Sequence, residues 1–408
     1  MLGKFMGEKF YCGVDIGSQS VKAVIMHAGD QDAGELLGAF EVATRGYDNA
    51  SVTDLGELSE CIHSTVSSLV KKTGVKIKDV HLGIGGELVE KRRSNAIIPL
   101  LDRGTKVISE RDIRKVRSQA SLLGVSMEEV LLHQFPQVYK VDDVNSALNP
   151  LGLYGRKLEV NSLLLVVNGT IVKNITKAVN QAGYDVASLA FSSYAGAESV
   201  LSDYYRRQGC VLIDIGCSVT NVLAFRNGSF HDFVRLPIGG NMISGGIAKE
   251  MNLIFDLAED IKRSYAVVHS AGDDAEEEIL IKREEGYLPV KKMAINRAID
   301  PVVTDLVGTI IQALKDMAVY DQLNGGIFMV GGGSLLTGLP ELVEKSTNVP
   351  VKLGKVVIAS QKMGNAVKYG AAVGLCLRGM RQGRQYTVKG NGHAGWINKV
   401  KELYQEYF

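Results

Sequence analysis

The chain has 408 residues, 46% of them hydrophobic, and 46 Lys and Arg against 45 Asp and Glu give a formal net charge of +1. A length of this order implies two or more domains with ample core, and the balanced charge excludes a global pull toward nucleic acid. Five cysteines, Cys12, Cys61, Cys210, Cys217 and Cys376, form an odd set with no CxxC pair, so they read as reduced thiols of a cytosolic protein and not as a zinc site.

In chain order, the opening "MLGKFMGEKFYCGVDIG" lacks the long apolar stretch of a signal peptide. No apolar run is long enough to span a bilayer, so any membrane contact is expected to be peripheral. Residues 14–25, "VDIGSQSVKAVI", predict a strand, a tight turn and a second strand. Gly17 lets the backbone come close to a ligand. Backbone N–H groups and the hydroxyls of Ser18 and Ser20, with Gln19 and Lys22 beside them, suit phosphate oxygens. Asp15, at the strand end, suits Mg2+ or its waters. Residues 81–167 then carry "HLGIGGELVEKRRSN", a helical segment "SERDIRKVRSQA", and a string containing "FPQVYKVDD" and "NPLGLYGRKLEV".

The first pattern returns at residues 213–225, "IDIGCSVTNVLAF", 199 positions after the first copy, so the chain holds two related halves. Asp214, Gly216, Cys217, Ser218 and Val219 occupy the second turn. Two such turns facing each other would clamp a polyphosphate between domains, and the plainer reading is two ordinary hairpins. Residues 237–266 begin with Gly239, Gly240 and Asn241 and contain Glu259 and Lys262, which by spacing alone form a helical i,i+3 ion pair. "GIFMVGGGSLLTGLPELVEK", residues 326–345, predicts a buried strand, the glycines Gly331, Gly332 and Gly333, and a helix that begins near Ser334 or Thr337. The seven histidines have no ligand spacing and read as structural.

Residues 376–395 contain no Asp or Glu but include Arg378, Arg381, Arg384 and Lys389, and read as a basic tether. The close, "GWINKVKELYQEYF", puts Trp396, Ile397, Val400, Leu403, Tyr404, Tyr407 and Phe408 on one helical stripe. Such a helix either lies in a lipid interface, with roughly 1 kcal/mol from each basic residue near an anionic surface, or docks in a groove on protein.

The order of glycine turn, second glycine turn and strand–GGG–helix resembles the actin-like ATPase superfamily. The string with "FPQVYKVDD" and "NPLGLYGRKLEV" narrows this to a resemblance to the bacterial cell division family FtsA, over about residues 10–380 and the tail. The resemblance implies an α/β, actin-like (ribonuclease H-like) two-lobed ATPase fold with a small inserted α+β domain and a C-terminal amphipathic helix. It implies a first lobe at 9–80 and 162–205, an insert at 81–161, a second lobe core at 206–240 and 325–378, an outer lobe at 241–324, a flexible basic linker at 379–394 and a membrane-targeting helix at 395–408. ATP with Mg2+ would sit between the turns, with Glu259 and Lys262 on the nucleoside and Asp15 and Asp214 on the metal through water. Asp214 is also the candidate catalytic carboxylate. The implied partners are the C-terminal tail of FtsZ, further copies in filaments, anionic inner-membrane lipid and other divisome proteins. The implied place is the cytoplasmic face of the membrane at the septum.

The sequence departs from the family at "DIGCSVTN". Cys217 and Val219 add bulk, and Asn221 and Asn241 stand where acids are usual; Asn is no carboxylate base. Nucleotide binding with slow or absent hydrolysis is the expectation. The same residues resemble PilM, the actin-like adaptor of type IV pilus assembly, which is the alternative reading; a small-molecule kinase of the superfamily is disfavoured by the lost acids. Val302 follows Pro301 where the family commonly has an Arg that helps to hold the FtsZ tail. Lys291, Lys292 and Arg297 nearby suit an acidic peptide or a solvated face.

Overall fold

The computed structural model describes residues 9–29, 34–48, 50–101, 104–143, 145–268, 278–283, 286–356 and 366–388. Two five-stranded sheets dominate, and they share one plan. In the first, the strand Phe10–Ile16 turns back into Ser20–His27 and then Glu35–Ala43, all antiparallel. Its other edge runs parallel with Asp79–Ile84 and then Asp185–Phe191. In the second sheet, Cys210–Ile215 turns back into Thr220–Arg226 and Ser229–Leu236, and its other edge runs parallel with Gly326–Val330 and Val351–Leu353. The duplicated sequence pattern is thus a duplicated fold.

The strands read as near-continuous apolar runs because both faces are covered. Val21, Ala23 and Ile25 pack in the cluster that holds Leu58, Ile62, Val66 and Leu69 of the helix Leu55–Thr73. Val24 and Met26, one residue out of phase, pack against Ala372, Val373 and Cys376 of the helix Gly370–Val388. That closing helix lies at backbone distance from its neighbours: a Cβ on Gly374 would meet the Ala195 carbonyl oxygen at 1.7 Å. In the second lobe, Val211, Ile213 and Ile215 pack with Ile295, Ile299 and Leu306 of the helix Lys292–Asp316.

Between the lobes in sequence, the strands Glu90–Pro99, Glu129–Val141, Asn145–Ala147 and Lys157–Asn168 form a separate four-stranded sheet. The helix Glu110–Gly124 packs on it and starts with a capping box between Ser109 and Asp112. The first lobe's sheet reaches Ile84 and the insert's last strand reaches Asn168, so the insert sits a few residues later than the expected 81–161. Lys91 donates to Asp232 at 2.7 Å and Arg235 to the Glu87 carbonyl at 2.7 Å, which ties this part of the chain to the second lobe.

The expected flexible linker at 379–394 needs correction. The closing helix continues to Val388, with Met380 buried, and Arg378 and Arg381 reach Glu198 at 3.4 and 3.3 Å instead of serving a tether. Residues 389–408, which hold the rest of the expected linker and the stripe from Trp396 to Phe408, lie outside the described residues. Among the described residues no helix is long and apolar enough to cross a membrane.

Candidate functional site

A cleft of about 870 Å³ opens where the two sheets meet. Both glycine turns line it. In the first, the Gly17 N–H donates to the Ser20 carbonyl at 3.2 Å and the Thr44 hydroxyl to the Gly17 carbonyl at 2.7 Å. In the second, the Gly216 N–H donates to the Val219 carbonyl at 2.9 Å. The turns are therefore pinned at their first glycine. Among the described residues, the backbone N–H groups of Ser18 and Gln19, and of Cys217 and Ser218, have no acceptor. Free amides in successive turn positions form a concavity suited to anions.

Asp15, Gly17, Ser18, Gln19, Ser20, Lys22, Asp214, Gly216, Cys217, Ser218, Val219, Gly240, Asn241, Glu259, Lys262, Gly331, Gly332 and Gly333 all line this one cleft. Two expected residues do not. Ser334 is fully buried and donates to the Gly331 carbonyl at 2.8 Å. Gly239 lies beneath the second turn, where a Cβ would sit 2.4 Å from the Cys217 carbonyl oxygen. Of the two expected helix starts, near Ser334 or near Thr337, the later one is the nearer: Gly332–Leu335 is a single 3-10 turn and the helix runs Leu339–Thr347. Of the three glycines, Gly331 and Gly333 are required by the crowding of Ile215, whereas a Cβ on Gly332 would meet nothing within 4 Å.

The helix Gly240–Met251 grips the second turn. Its first amides, Gly240 and Asn241, donate to the Gly216 and Cys217 carbonyls at 2.9 Å each. The Cys217 thiol donates to Asn241 Oδ1 at 2.8 Å, and burial pushes that thiol up. Asn241 thus has a structural partner, which spacing in sequence could not reveal.

Glu259 gathers the charged and polar groups on one side of the cleft. Its carboxylate receives Lys262 Nζ at 2.6 Å, Arg263 Nε at 2.7 Å, the Ser244 hydroxyl at 2.5 Å and, from the opposite lobe, Gln19 Nε2 at 3.1 Å. Burial alone would raise its pKa; the hydrogen bonds from Lys262 and Ser244 outweigh burial and hold it at about 2. Lys262 also donates to the Gly240 carbonyl at 3.0 Å.

Sequence reasoning missed Ser192 and Ser193. They open the helix Ser192–Val200, and each reaches one aspartate: Ser192 Oγ to Asp15 Oδ1 and Ser193 Oγ to Asp214 Oδ2, both at 2.6 Å. Asn221 Nδ2 donates to Ser193 Oγ at 3.1 Å. The only signal in sequence was a Ser pair after a β-rich run, which is too common to single out. Burial pushes the Asp214 carboxyl up to about 6; Asp15 adds to the rise and Ser193 opposes it. A carboxylate short of compensating charge, with one oxygen left to the cleft, fits a cation. Among the described residues no group of three or more His, Cys, Asp and Glu could hold a metal, so Mg2+ would take its remaining ligands from phosphate and water.

Residues 211–374 match the family model of the cell division protein FtsA, and residues 86–166 match the model of the SHS2 domain inserted in FtsA. The cell division protein FtsA of Buchnera aphidicola is 27% identical, over 99% of this chain and 100% of its own length. The solved PilM–PilN type IV pilus biogenesis complex matches with a TM-score of 0.66 at 19% identity, over 91% of this chain and 98% of that one. MreB5 of Spiroplasma citri bound to ADP matches at 0.53 and 12% identity, over 94% and 99%. Those two likenesses establish the actin-like fold.

Proposed function

We propose that this chain, which belongs to the FtsA family of cell division proteins, binds ATP with Mg2+ in the interlobe cleft as a structural ligand and works as a membrane adaptor of the division machinery. The observation that carries the reading is the pair of glycine turns, one from each lobe, that bring free backbone amides to a single cleft. Lys22, Lys262 and Arg263 line the same cleft and supply cationic charge for phosphate or ribose oxygens. An ADP-bound structure of the same fold, that of MreB5, supports an adenine nucleotide as the ligand.

The residues argue for slow hydrolysis or none. Asn221 and Asn241 carry no charge, and both side chains are engaged by protein, at Ser193 and Cys217. Asp15 and Asp214 each accept a serine hydroxyl, and their free oxygens suit the waters of the metal. The bound ion would neutralise phosphate charge; the chain's own residues orient the phosphates and hold the two lobes together.

In this reading, ATP favours self-association into filaments, the second half receives the C-terminal tail of FtsZ, and residues 395–408 anchor the assembly on anionic lipid at the cytoplasmic face of the septal membrane. Many weak anchors presented by one filament would bind with avidity. Flotation with anionic liposomes, full length against a truncation after Gly395, tests the anchor: flotation of the full-length protein alone supports it, and failure of both to float removes it.

A further inference from the structure

The helix Ser192–Val200 has two hydroxyls at its start, and neither caps the helix. They are the first two residues of the helix, after an N-cap position at Phe191 that makes no side-chain bond. Ser192 and Ser193 reach outward, one to the aspartate of each lobe. The surroundings are cut to allow this. Gly83 pairs with Asp15 across neighbouring parallel strands, and a Cβ there would sit 2.4 Å from Ser192 Oγ. Gly86 faces Asn221, where a Cβ would sit 2.2 Å from Asn221 Oδ1. These two glycines belong to "HLGIGG", which no part of the nucleotide reading otherwise uses.

The direction of the second contact is fixed. A serine hydroxyl has one hydrogen. Asn221 Nδ2 can only donate, so Ser193 Oγ accepts from it at 3.1 Å and must give its own hydrogen to Asp214 at 2.6 Å. An acid at position 221 would compete for that hydrogen. Two like charges at facing strand ends tend to splay or protonate. Fixing both to one rigid helix start keeps their separation constant whether or not an ion lies between them.

We propose that Ser192 and Ser193 are positioning residues that hold Asp15 and Asp214, one from each lobe, so that each turns its remaining oxygen to the hydrated divalent cation carried by the nucleotide. The inference rests on the nucleotide reading above and deepens it. It also gives Asn221 a role as donor to Ser193, in place of the missing acid.

The test is the ratio of ATP affinity with Mg2+ to ATP affinity in EDTA, measured by calorimetry on the full chain and on S192A/S193A, with the thermal midpoint read alongside. The wild type is expected to bind more tightly with Mg2+. The double variant is expected to lose about tenfold of that enhancement, the scale of hydrogen bonds to charged groups, with its EDTA affinity unchanged. If the alanine variant does not fold, S192C and S193C keep the shape with a weak donor and are expected to lose part of the enhancement. A variant that keeps the full enhancement overturns the positioning role alone, as does a wild type that binds ATP equally well in EDTA. A wild type that binds no ATP in either condition overturns the nucleotide reading and this inference with it.

Discussion

The two glycine turns share the same closing backbone bond and are gripped differently. The first, Gly17 to Gln19, is held by Thr44, whose hydroxyl donates to the Gly17 carbonyl at 2.7 Å and whose amide donates to the Gln19 carbonyl at 3.0 Å, and Gln19 spans the cleft to Glu259. The second, Gly216 to Val219, is stitched to the helix Gly240–Met251 by two backbone bonds and by the Cys217–Asn241 contact. A duplicated unit has thus kept its form while its chemistry diverged. The first turn adds a side-chain bond across the cleft, through Gln19. The second gives its Gly216 and Cys217 carbonyls and the Cys217 thiol to the helix beneath it. In the proposed reading, binding needs only the free amides of the two turns and survives this change, whereas efficient hydrolysis would need charged groups that Asn221 and Asn241 do not supply.

Four substitutions would break or sharpen this contrast. The largest effect is expected at Glu259, which joins Gln19 of the first turn to Lys262 and Ser244 of the second lobe. Glu259→Gln leaves Lys262 buried without its counter-charge and should cost about 3 kcal/mol in chemical denaturation. Its pH dependence gives an independent check. The folded pKa, about 2, lies below the ordinary glutamate value of 4.5. The stabilisation is therefore complete above 4.5 and lost as pH falls toward 2. Glu259→Gln should lack this loss, and an identical acid profile in both proteins would contradict the ion pair.

Next comes Gly239→Ala, whose Cβ meets the Cys217 carbonyl. It should destabilise by about 2 kcal/mol through overpacking, measured as a shift in denaturation midpoint, because the second turn is stitched in place. Gln19→Ala removes the bond that the first turn sends across the cleft and should cost about 1 kcal/mol; a cost as large as that at Gly239 would erase the distinction between the turns. The smallest effect on stability is expected at Gly332→Ala, within about 0.5 kcal/mol, since nothing lies within 4 Å of the added carbon. Its ATP affinity should nevertheless fall severalfold in a nucleotide titration, because that open space is where a ligand approaches. Unchanged affinity would place the nucleotide elsewhere in the cleft.

The sequence made the architecture readable where local and long-range signals agree. The repeated DIG turns predicted two related halves, and the apolar runs that lead into Asp214 and through Gly326–Val330 predicted buried strands. It also gathered most of the cleft, because glycine turns and strand ends are local features. What stayed hidden is contact between distant segments. Ser192 and Ser193 lie 177 and 21 residues from the aspartates they hold, and Gln19 lies 240 from Glu259. Gly239 lies beneath the second turn and not in the cleft, and Asn241 lines the cleft while also bonding Cys217. The basic residues Arg378 and Arg381 looked like a tether because their partner, Glu198, is 180 and 183 positions away. That pairing also places the start of the chain's tail on the very helix that holds both aspartates.

The central claim is that two amide-bearing turns clamp a polyphosphate. The direct measurement is a titration of the full-length protein with adenosine, AMP, ADP and ATP in the presence of Mg2+. The account predicts affinity that climbs with each added phosphate and is highest for ATP. Equal affinity for adenosine and ATP, or no binding of either, would contradict it.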